Sequence, residues 1–219
     1  MIKRQEKSAA PRQRRKEARP SELIAAALDL FVERGFAATK LDDIAARAGV
    51  SKGTLYLYFA SKEELFKAVI QQGIMPVVSQ GEEMLAQHSG DMRSLLCELI
   101  YRWWDELVDD ARLAAIPKLI ISESGNFPDV ARFFYENVSK RVEDLLGAVL
   151  RRGIECGEFR PVDIASAIDL ISAPILMRTI WQYSMAPFGC GGAKDPEIYL
   201  DTYIDMLLNG LLVKERSHE

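Results

Sequence analysis

Apolar side chains recur three to four residues apart along most of the chain from Pro20 onward. This spacing places them on one face of a helix, whereas a half-buried strand needs strict alternation, which is absent here. The pattern predicts three short helices between Pro20 and Phe59. Gly35 and Gly49 lie at predicted helix ends, where the backbone commonly adopts the left-handed conformation that glycine favours. The predicted fold class is therefore all-α.

A fourth helix opens with a capping box, Ser61 followed three positions later by Glu64. We expect it to run to about His88, with bends at Gly73 and Pro76. The remaining chain is predicted to form helices near 91–109, 111–124, 128–156, 162–185 and 196–213.

The first 19 residues lack the helical pattern. They hold eight basic and two acidic residues and almost no large apolar groups, so they cannot bury enough surface to fold alone. We therefore expect a disordered basic arm over 1–19, a small helical head over 20–66, and a larger helical body over 67–219.

Charge is divided unevenly along the chain. The net charge is −4, but residues 1–60 carry +5 and the remaining 159 residues carry −9. A basic amino-terminal quarter on an acidic chain is typical of a local contact with nucleic acid. A solvated face beside a disordered tail gives the same asymmetry. Charge alone therefore does not establish nucleic-acid binding, and the motif in the head is needed to distinguish the two.

Residues 39–60, TKLDDIAARAGVSKGTLYLYFA, meet the requirements of a helix-turn-helix. Gly49 supplies the tight turn with Val50 beneath it, and Thr39 and Ser51 are expected to cap the two helices. The second of these helices begins with small and polar residues, as entry into the major groove requires. Gly53 has no side chain, which would let the backbone approach DNA closely. The pattern predicts a DNA-binding protein.

The head closely resembles that of the tetracycline-repressor (TetR) family of transcriptional regulators. The matching stretches are IA, AGVSKGTLY, YF and SKEEL at 44–45, 48–56, 58–59 and 61–65, without a gap from 21 to 66. The resemblance implies about nine helices, a homodimer, and a carboxy-terminal domain that binds a ligand. We expect a ligand-responsive regulator, and specifically a repressor.

The resemblance also assigns roles in DNA binding by position. The groove contacts are Lys52, Gly53, Thr54 and Tyr56, and the phosphate contacts are Thr39, Lys40, Tyr58 and Lys62. The helix end at Ser51 directs backbone N–H groups toward phosphates. Leu57 departs from the family, which often has an aromatic or polar residue there, and offers only apolar contact, such as to a thymine methyl. Core packing is the competing role for the tyrosines, and a solvated charge for the lysines.

The two helices nearest the carboxyl end are apolar on more than one face. The helix near 162–185 carries an isoleucine stripe, and the helix near 196–213 carries two apolar rows that begin at Tyr199 and Leu200. Such helices must be covered on both sides. This predicts a homodimer through both helices, whose symmetry requires a near-palindromic operator. Burial within a large monomer is the alternative.

Aromatic and sulfur-containing side chains crowd the helices of the body, as in an apolar ligand pocket. The candidate ligand-binding residues are Tyr101, Trp103, Trp104, Phe134, Met177, Arg178, Trp181 and Gln182. Arg178 interrupts an apolar stretch, so it anchors an anionic or carbonyl-bearing ligand or forms an ion pair at the dimer seam. Core packing is the competing role for each aromatic residue. The expected effector is a small apolar or amphipathic molecule.

The sequence offers few residues for a metal site or for catalysis. The three cysteines are far apart and there are only two histidines, so neither a metal site nor a cofactor is expected. Asp105 and Asp109 form one i, i+4 pair without a second acidic cluster, which favours a solvated helix end over an all-helical enzyme.

The chain has no run of about 18 uninterrupted apolar residues and no secretory signal, so we expect it in the cytoplasm. The remaining alternative is a helical DNA-binding dimer that senses no effector.

Overall fold

The computed structural model describes residues 13–108, 110–190 and 195–213. Over these ranges the chain is predominantly helical, and its β-structure is limited to one isolated antiparallel bridge between Phe159 and Leu212. The all-α prediction is therefore confirmed. The chain divides into two compact units between Val69 and Ile70, three residues beyond the boundary expected from the sequence.

The amino-terminal unit, the head, contains three whole helices and the beginning of a fourth. They are α1 (Gln13–Arg34), α2 (Leu41–Arg47), α3 (Lys52–Tyr56) and α4 (Lys62–Gly73). Helix α1 starts before Pro20, so it extends into the segment expected to be a disordered arm. The Arg, Lys, Glu and Ala residues of this extension are good helix formers, and they continue a helix that packing has already nucleated. Residues 1–12 of the expected arm lie outside the described residues.

Three phenylalanines form the centre of the head. The rings of Phe31, Phe36 and Phe66 lie with their centroids 4.9–5.2 Å apart, and Ile44 and Leu55 are fully buried with them. Aromatic pairs at such distances add to the stability that buried area gives. The ring cluster packs α4 against α1 and the turn that follows α1.

The helix caps are partly as expected. Ser51 caps α3 by accepting a hydrogen bond from the Thr54 N–H, and the Ser61 Oγ accepts one from the Glu64 N–H at 3.1 Å. The expectation that Thr39 caps α2 was wrong, since Lys40 is the N-cap residue and no side chain caps that helix. The Thr39 hydroxyl donates elsewhere, to the carbonyl oxygens of Leu30 and Gly35.

The carboxy-terminal unit, the body, contains the remaining helices. They are α5 (Met75–Gln87), α6 (Met92–Trp103), α7 (Ala111–Glu123), α8 (Pro128–Phe134), α9 (Lys140–Glu155), α10 (Ile164–Ser184) and α11 (Pro196–Leu211). Helix α6 continues into a π-helical segment, Trp104–Val108, and a second one, Tyr135–Ser139, joins α8 to α9. If α4 and α5 are counted as the two parts of the predicted fourth helix, and α8 to α9 as one run, the described residues form the nine helices expected.

The predicted long fourth helix is interrupted close to the expected bend. Helix α4 ends at Gly73, and α5 begins at Met75 after the single residue Ile74. Pro76 lies in the first turn of α5, where its missing N–H would have had no helical partner. Gly81 lets α5 approach α9 closely, because an added Cβ would lie 2.8 Å from the Leu145 Cδ2.

The core of the body lies between α6, α9, α10 and α11. Leu99, Trp103, Leu146, Ile171 and Ile204 are among its buried members. The Tyr203 hydroxyl donates a 2.6 Å hydrogen bond to the Ile171 carbonyl oxygen, which fixes α11 on α10. Burial of that phenol raises the pKa of Tyr203 well above its ordinary value.

Within the described residues, one stretch, Ile164–Phe188, is long and apolar enough to cross a membrane by length and composition. A helix with apolar side chains on several faces passes that test equally well when each face is covered by protein. In this protein the core covers one face of α10, a second face lines a cavity and a third lines a groove, so 28% of the most apolar window is buried.

Candidate functional site

The turn between α2 and α3 has the geometry that the helix-turn-helix pattern predicts. Gly49 has φ +67°, a left-handed conformation that side chains disfavour. After it, Ser51 is extended and begins α3, and its Oγ lies 2.9 Å from the Thr54 Oγ1. The local structure therefore fixes the start of α3, the end of the helix from which base edges are read in such motifs.

The side chains at the end of α3 face solvent. Tyr56 is 47% exposed, Tyr58 38% and Leu57 83%. An isolated exposed leucine is ordinary, but three large side chains exposed in succession at the end of one short helix form a surface suited to contact. Core packing, the competing role for the two tyrosines, does not fit this exposure. Leu55 fills the inward position instead.

Lys52 is held in place by an acidic partner on α2. Its Nζ lies 2.8 Å from the Asp42 carboxylate and 5.9 Å from the centre of the Tyr56 ring. The hydrogen bond to Asp42 raises the pKa of Lys52. The pair is exposed, so it contributes little to stability. It holds the ammonium group beside Tyr56, and a phosphate or a base edge would compete with Asp42 for it.

Gly53 has no conformational reason to be glycine. A Cβ added there would meet only the Ser51 Oγ, at 3.9 Å, and the backbone has no left-handed φ. Glycine inside a helix costs about 0.5–1 kcal/mol relative to alanine. Packing within the head gives no reason for this cost at an exposed position, and close approach of DNA to Gly53 stays a prediction.

Two residues assigned to phosphates by resemblance point inward instead. The Lys62 Nζ donates to three backbone carbonyl oxygens, those of Phe36 (2.6 Å), Ala37 (3.1 Å) and Thr39 (3.0 Å). It also lies 4.4 Å from the centre of the Phe36 ring. Thr39 is 1% exposed, and its N–H donates to the Phe36 carbonyl. Both side chains stabilise the turn between α1 and α2, whereas Lys40 beside them is exposed.

The body contains an apolar cavity of about 490 Å³. Helices α5 to α10 supply its walls, and both π-helical segments contribute to them. The lining residues are Ile74, Val77, Val78, Trp103, Leu107, Pro117, Ile120, Ile121, Ala131, Phe134, Tyr135, Val138, Ser139, Val142, Glu143, Ile168, Asp169, Ser172, Ile175, Leu176 and Thr179. A volume of this size suits a drug-sized ligand.

Of the residues predicted to bind a ligand, Trp103 and Phe134 line this cavity. The other six lie elsewhere. Trp104 is buried and stacks on Tyr199, and Tyr101 and Met177 are largely exposed. The Trp181 Nε1 donates to the Cys190 carbonyl, and the Gln182 Nε2 to the Tyr183 hydroxyl.

Arg178 does not line the cavity, although it is buried. It is 8% exposed and is the one buried charged side chain among the described residues. Its Nε has no hydrogen-bond partner there, and neither has the Gln182 Oε1 one turn away. A buried donor without a partner is costly, so the Nε–H of Arg178 is a destabilising feature of the isolated chain.

Helices α10 and α11 border a groove of about 950 Å³. One of the two rows predicted on α11 is buried in the core, with Leu200 and Ile204 in it, whereas the other, with Tyr199 and Met206, lines the groove. Leu170, Ile198 and Met206 are each about two thirds exposed. Large exposed apolar patches of this kind mark interaction surfaces.

Comparison with known families identifies both units. Residues 23–69 match the model of bacterial regulatory proteins of the tetR family, and residues 86–187 match a tetracyclin repressor-like carboxy-terminal domain. The chain belongs to the TetR family. Its all-α architecture, with a helix-turn-helix head and a helical body, is that of the family's solved structures.

Relatives of this TetR-family chain are transcriptional regulators. The repressor KstR2 of Rhodococcus jostii is 29% identical, over 90% of this chain and 92% of that protein. The activator FasR of Mycolicibacterium smegmatis is 38% identical, but only over 43% of this chain and 42% of that protein. The solved structure of the ketosteroid transcriptional regulator KstR2 of Mycobacterium tuberculosis superposes with a TM-score of 0.69 at 25% identity, over 90% of this chain and 96% of that one. This chain is likewise a ligand-responsive transcriptional regulator.

Most residues that line the cavity of this regulator carry no signal in the sequence. Val77, Val138 and Val142 are ordinary apolar positions in their own helices, and Glu143 and Asp169 resemble any solvated carboxylates. An aromatic-rich composition points to a pocket somewhere in the body. Which residues face that pocket depends on how five or more helices from distant parts of the chain pack together.

Proposed function

We propose that this TetR-family chain is a repressor that binds a near-palindromic operator as a homodimer and releases it when an apolar or amphipathic effector occupies the cavity. The observation that carries the proposal is the combination of two features in one chain. The head exposes Tyr56 and Leu57 beside Lys52 at a properly capped turn, and the body holds an apolar cavity of ligand size.

In this proposal, the groove is read by Lys52, Gly53, Thr54 and Tyr56. Leu57 adds apolar contact, and Lys40 and Tyr58 contact phosphates. Lys52 exchanges its partner from Asp42 to DNA on binding, so part of the gain is offset by the ion pair that is lost. We assign Thr39 and Lys62 to the stability of the turn, because their polar groups are already used inside the head.

We further propose that the groove between α10 and α11 is covered by a second copy. The exposed Leu170, Ile198 and Met206 supply an apolar surface on both helices, and a twofold axis would bring the same surface of the partner against it. This arrangement also accounts for the length and apolarity of α10. It pairs two heads, as two half-sites on DNA require.

We propose that effector binding in the cavity is coupled to the head through the continuous chain of α4 and α5. Ile74, Val77 and Val78 line the cavity, and Ile74 is the single residue between α4 and α5. An effector that binds better to one position of α5 changes DNA affinity by the same coupling free energy, typically about 1–3 kcal/mol. An effector without such a preference changes nothing.

The test is selection of bound sequences from a random DNA pool, with wild-type protein and with Met206→Asp. A near-palindrome is expected from the wild type, and the variant should sediment as a monomer and lose the palindrome. Val32→Asp, at an exposed apolar residue of the head, is the matched control for sedimentation and should remain a dimer. Enrichment of a single half-site by a dimeric wild type would contradict the proposal.

A further inference from the structure

The charged side chains that line the cavity are both carboxylates. Glu143 lies on α9 and Asp169 on α10. Among the described residues, no Lys, Arg or His side chain lines the cavity. Asp169 is exposed and Glu143 half-buried, so both carboxylates lie where the apolar walls meet solvent. An anionic group placed there would be repelled and a cationic group attracted, with the modest strength of partly solvated charges.

Neither carboxylate has an ion-pair or hydrogen-bond partner among the described side chains. The neighbouring cations on α9 are engaged elsewhere: the Lys140 Nζ pairs with Asp144, and Arg141 makes two hydrogen bonds to Glu82, at 2.8 and 2.6 Å. The hydrogen bond from Arg141 lowers the pKa of Glu82, as expected for a pair that satisfies itself. The negative charge at the cavity is therefore not neutralised by these neighbours.

Three aromatic side chains line the same cavity, those of Trp103, Phe134 and Tyr135. The faces of aromatic rings attract cations, and most strongly those without water around them, such as quaternary ammonium groups. Apolar walls, aromatic faces and carboxylates together are the composition of a site for an organic cation. An uncharged apolar ligand would need only the first two.

The buried cation of the body does not alter this balance. At about 100° per residue, Arg178 lies about 120° around α10 from the middle of the residues that line the cavity, and it is not among them. The groove-lining residues of α10 lie about 180° from the cavity face, so the groove and the cavity are separate surfaces.

We propose that the effector is an organic cation: an amine or quaternary ammonium group on an apolar skeleton that fits a cavity of about 490 Å³. The apolar skeleton fills the space between α5, α7 and α10, and the cationic group lies against Glu143, Asp169 and the aromatic faces. The inference rests on the proposed role of this cavity as the effector site.

The test compares three probes that share a decyl chain: decyltrimethylammonium, decanol and decanoate. Binding to the full chain is measured by calorimetry below the concentration at which the probes form micelles. The cation is expected to bind about tenfold more tightly than decanol, the sum of modest ion-pair and cation–π contributions. Decanoate is expected to bind more weakly than decanol.

Charge-neutralising variants locate the effect. Glu143→Gln and Asp169→Asn should each weaken binding of the cation about three- to fivefold and leave decanol unchanged. Asp144→Asn, a neighbouring carboxylate already paired with Lys140, is the matched control and should leave all three probes unchanged. Both neutralised side chains keep their shape, and thermal melting verifies that the variants fold.

The outcomes separate the two proposals. If decanol and the cation bind equally, or if decanoate binds best, the inference of a cationic effector is overturned while the apolar effector site stands. Ser172→Trp places a large side chain at the cavity wall. If it leaves binding of all three probes unchanged, the probes bind elsewhere, and the proposed effector site falls together with the inference.

Discussion

Lys62→Ala distinguishes a residue that supports the head from one that contacts phosphate. The ammonium group donates to the carbonyl oxygens of Phe36, Ala37 and Thr39, which are 23 to 26 positions earlier in the chain. The substitution removes three hydrogen bonds from a charged donor at once. It also removes the contact between the ammonium and the Phe36 ring.

The loss of folding stability in Lys62→Ala depends on how far water replaces the three hydrogen bonds. A hydrogen bond to a charged group is worth about 1.5–3 kcal/mol, but carbonyl oxygens that water can reach recover much of that. Ala37 is exposed, whereas Phe36 and Thr39 are buried, so the net loss is expected to be about 2–3 kcal/mol. For a chain of 219 residues, this corresponds to a fall in Tm of about 4–12 °C.

Two assays on three variants test this reasoning. Thermal melting gives the stability, and DNA binding at several salt concentrations gives the number of phosphates contacted. Lys62→Met keeps an apolar stem and should lose nearly as much stability as Lys62→Ala. Lys40→Ala, at an exposed lysine, should leave Tm unchanged and reduce the salt slope by about 1.

The refuting result is the opposite pattern. If Lys62→Ala melts like the wild type and its salt slope falls by about 1, the ammonium group leaves the turn and contacts a phosphate when DNA binds. The hydrogen bonds to the turn would then be a resting position, and the assignment by family resemblance would be right.

Three further predictions concern other positions. Gly53→Ala should raise Tm by about 1–4 °C because alanine favours the helix, yet weaken specific DNA binding about tenfold; unchanged binding would show that DNA does not approach there. Arg178→Met should raise Tm by about 2–4 °C by removing a buried N–H donor that has no partner; a fall in Tm with loss of the dimer would place an anionic partner at the seam. Because Arg141 lowers the pKa of Glu82, this pair stabilises the fold fully above the ordinary glutamate pKa, and its contribution declines as the pH falls through the lowered value. The stability advantage of wild type over Glu82→Gln should therefore shrink in urea melts at pH 4 compared with pH 7, and an advantage independent of pH would contradict the pairing.

The head was largely predictable because its signals are local. Ser51 caps α3 by accepting a hydrogen bond from the Thr54 N–H, only three residues later, and Gly49 turns the chain through its own φ. The two rows of α11 were equally visible, since Leu200 and Tyr199 differ in direction by helix geometry alone. The sequence did not predict which neighbouring element each row would contact.

Local signals were enough to predict most helices and the turn at Gly49, but they left open whether Tyr56 packs in the core. The packing of separate helices was needed to show that Lys62 serves the turn after α1, and that Glu143 and Asp169 share a cavity with Trp103. The physical reason is the same in both cases. These contacts join residues on separate helices, and no periodicity within one helix specifies which distant carbonyl, ring or carboxylate will lie opposite.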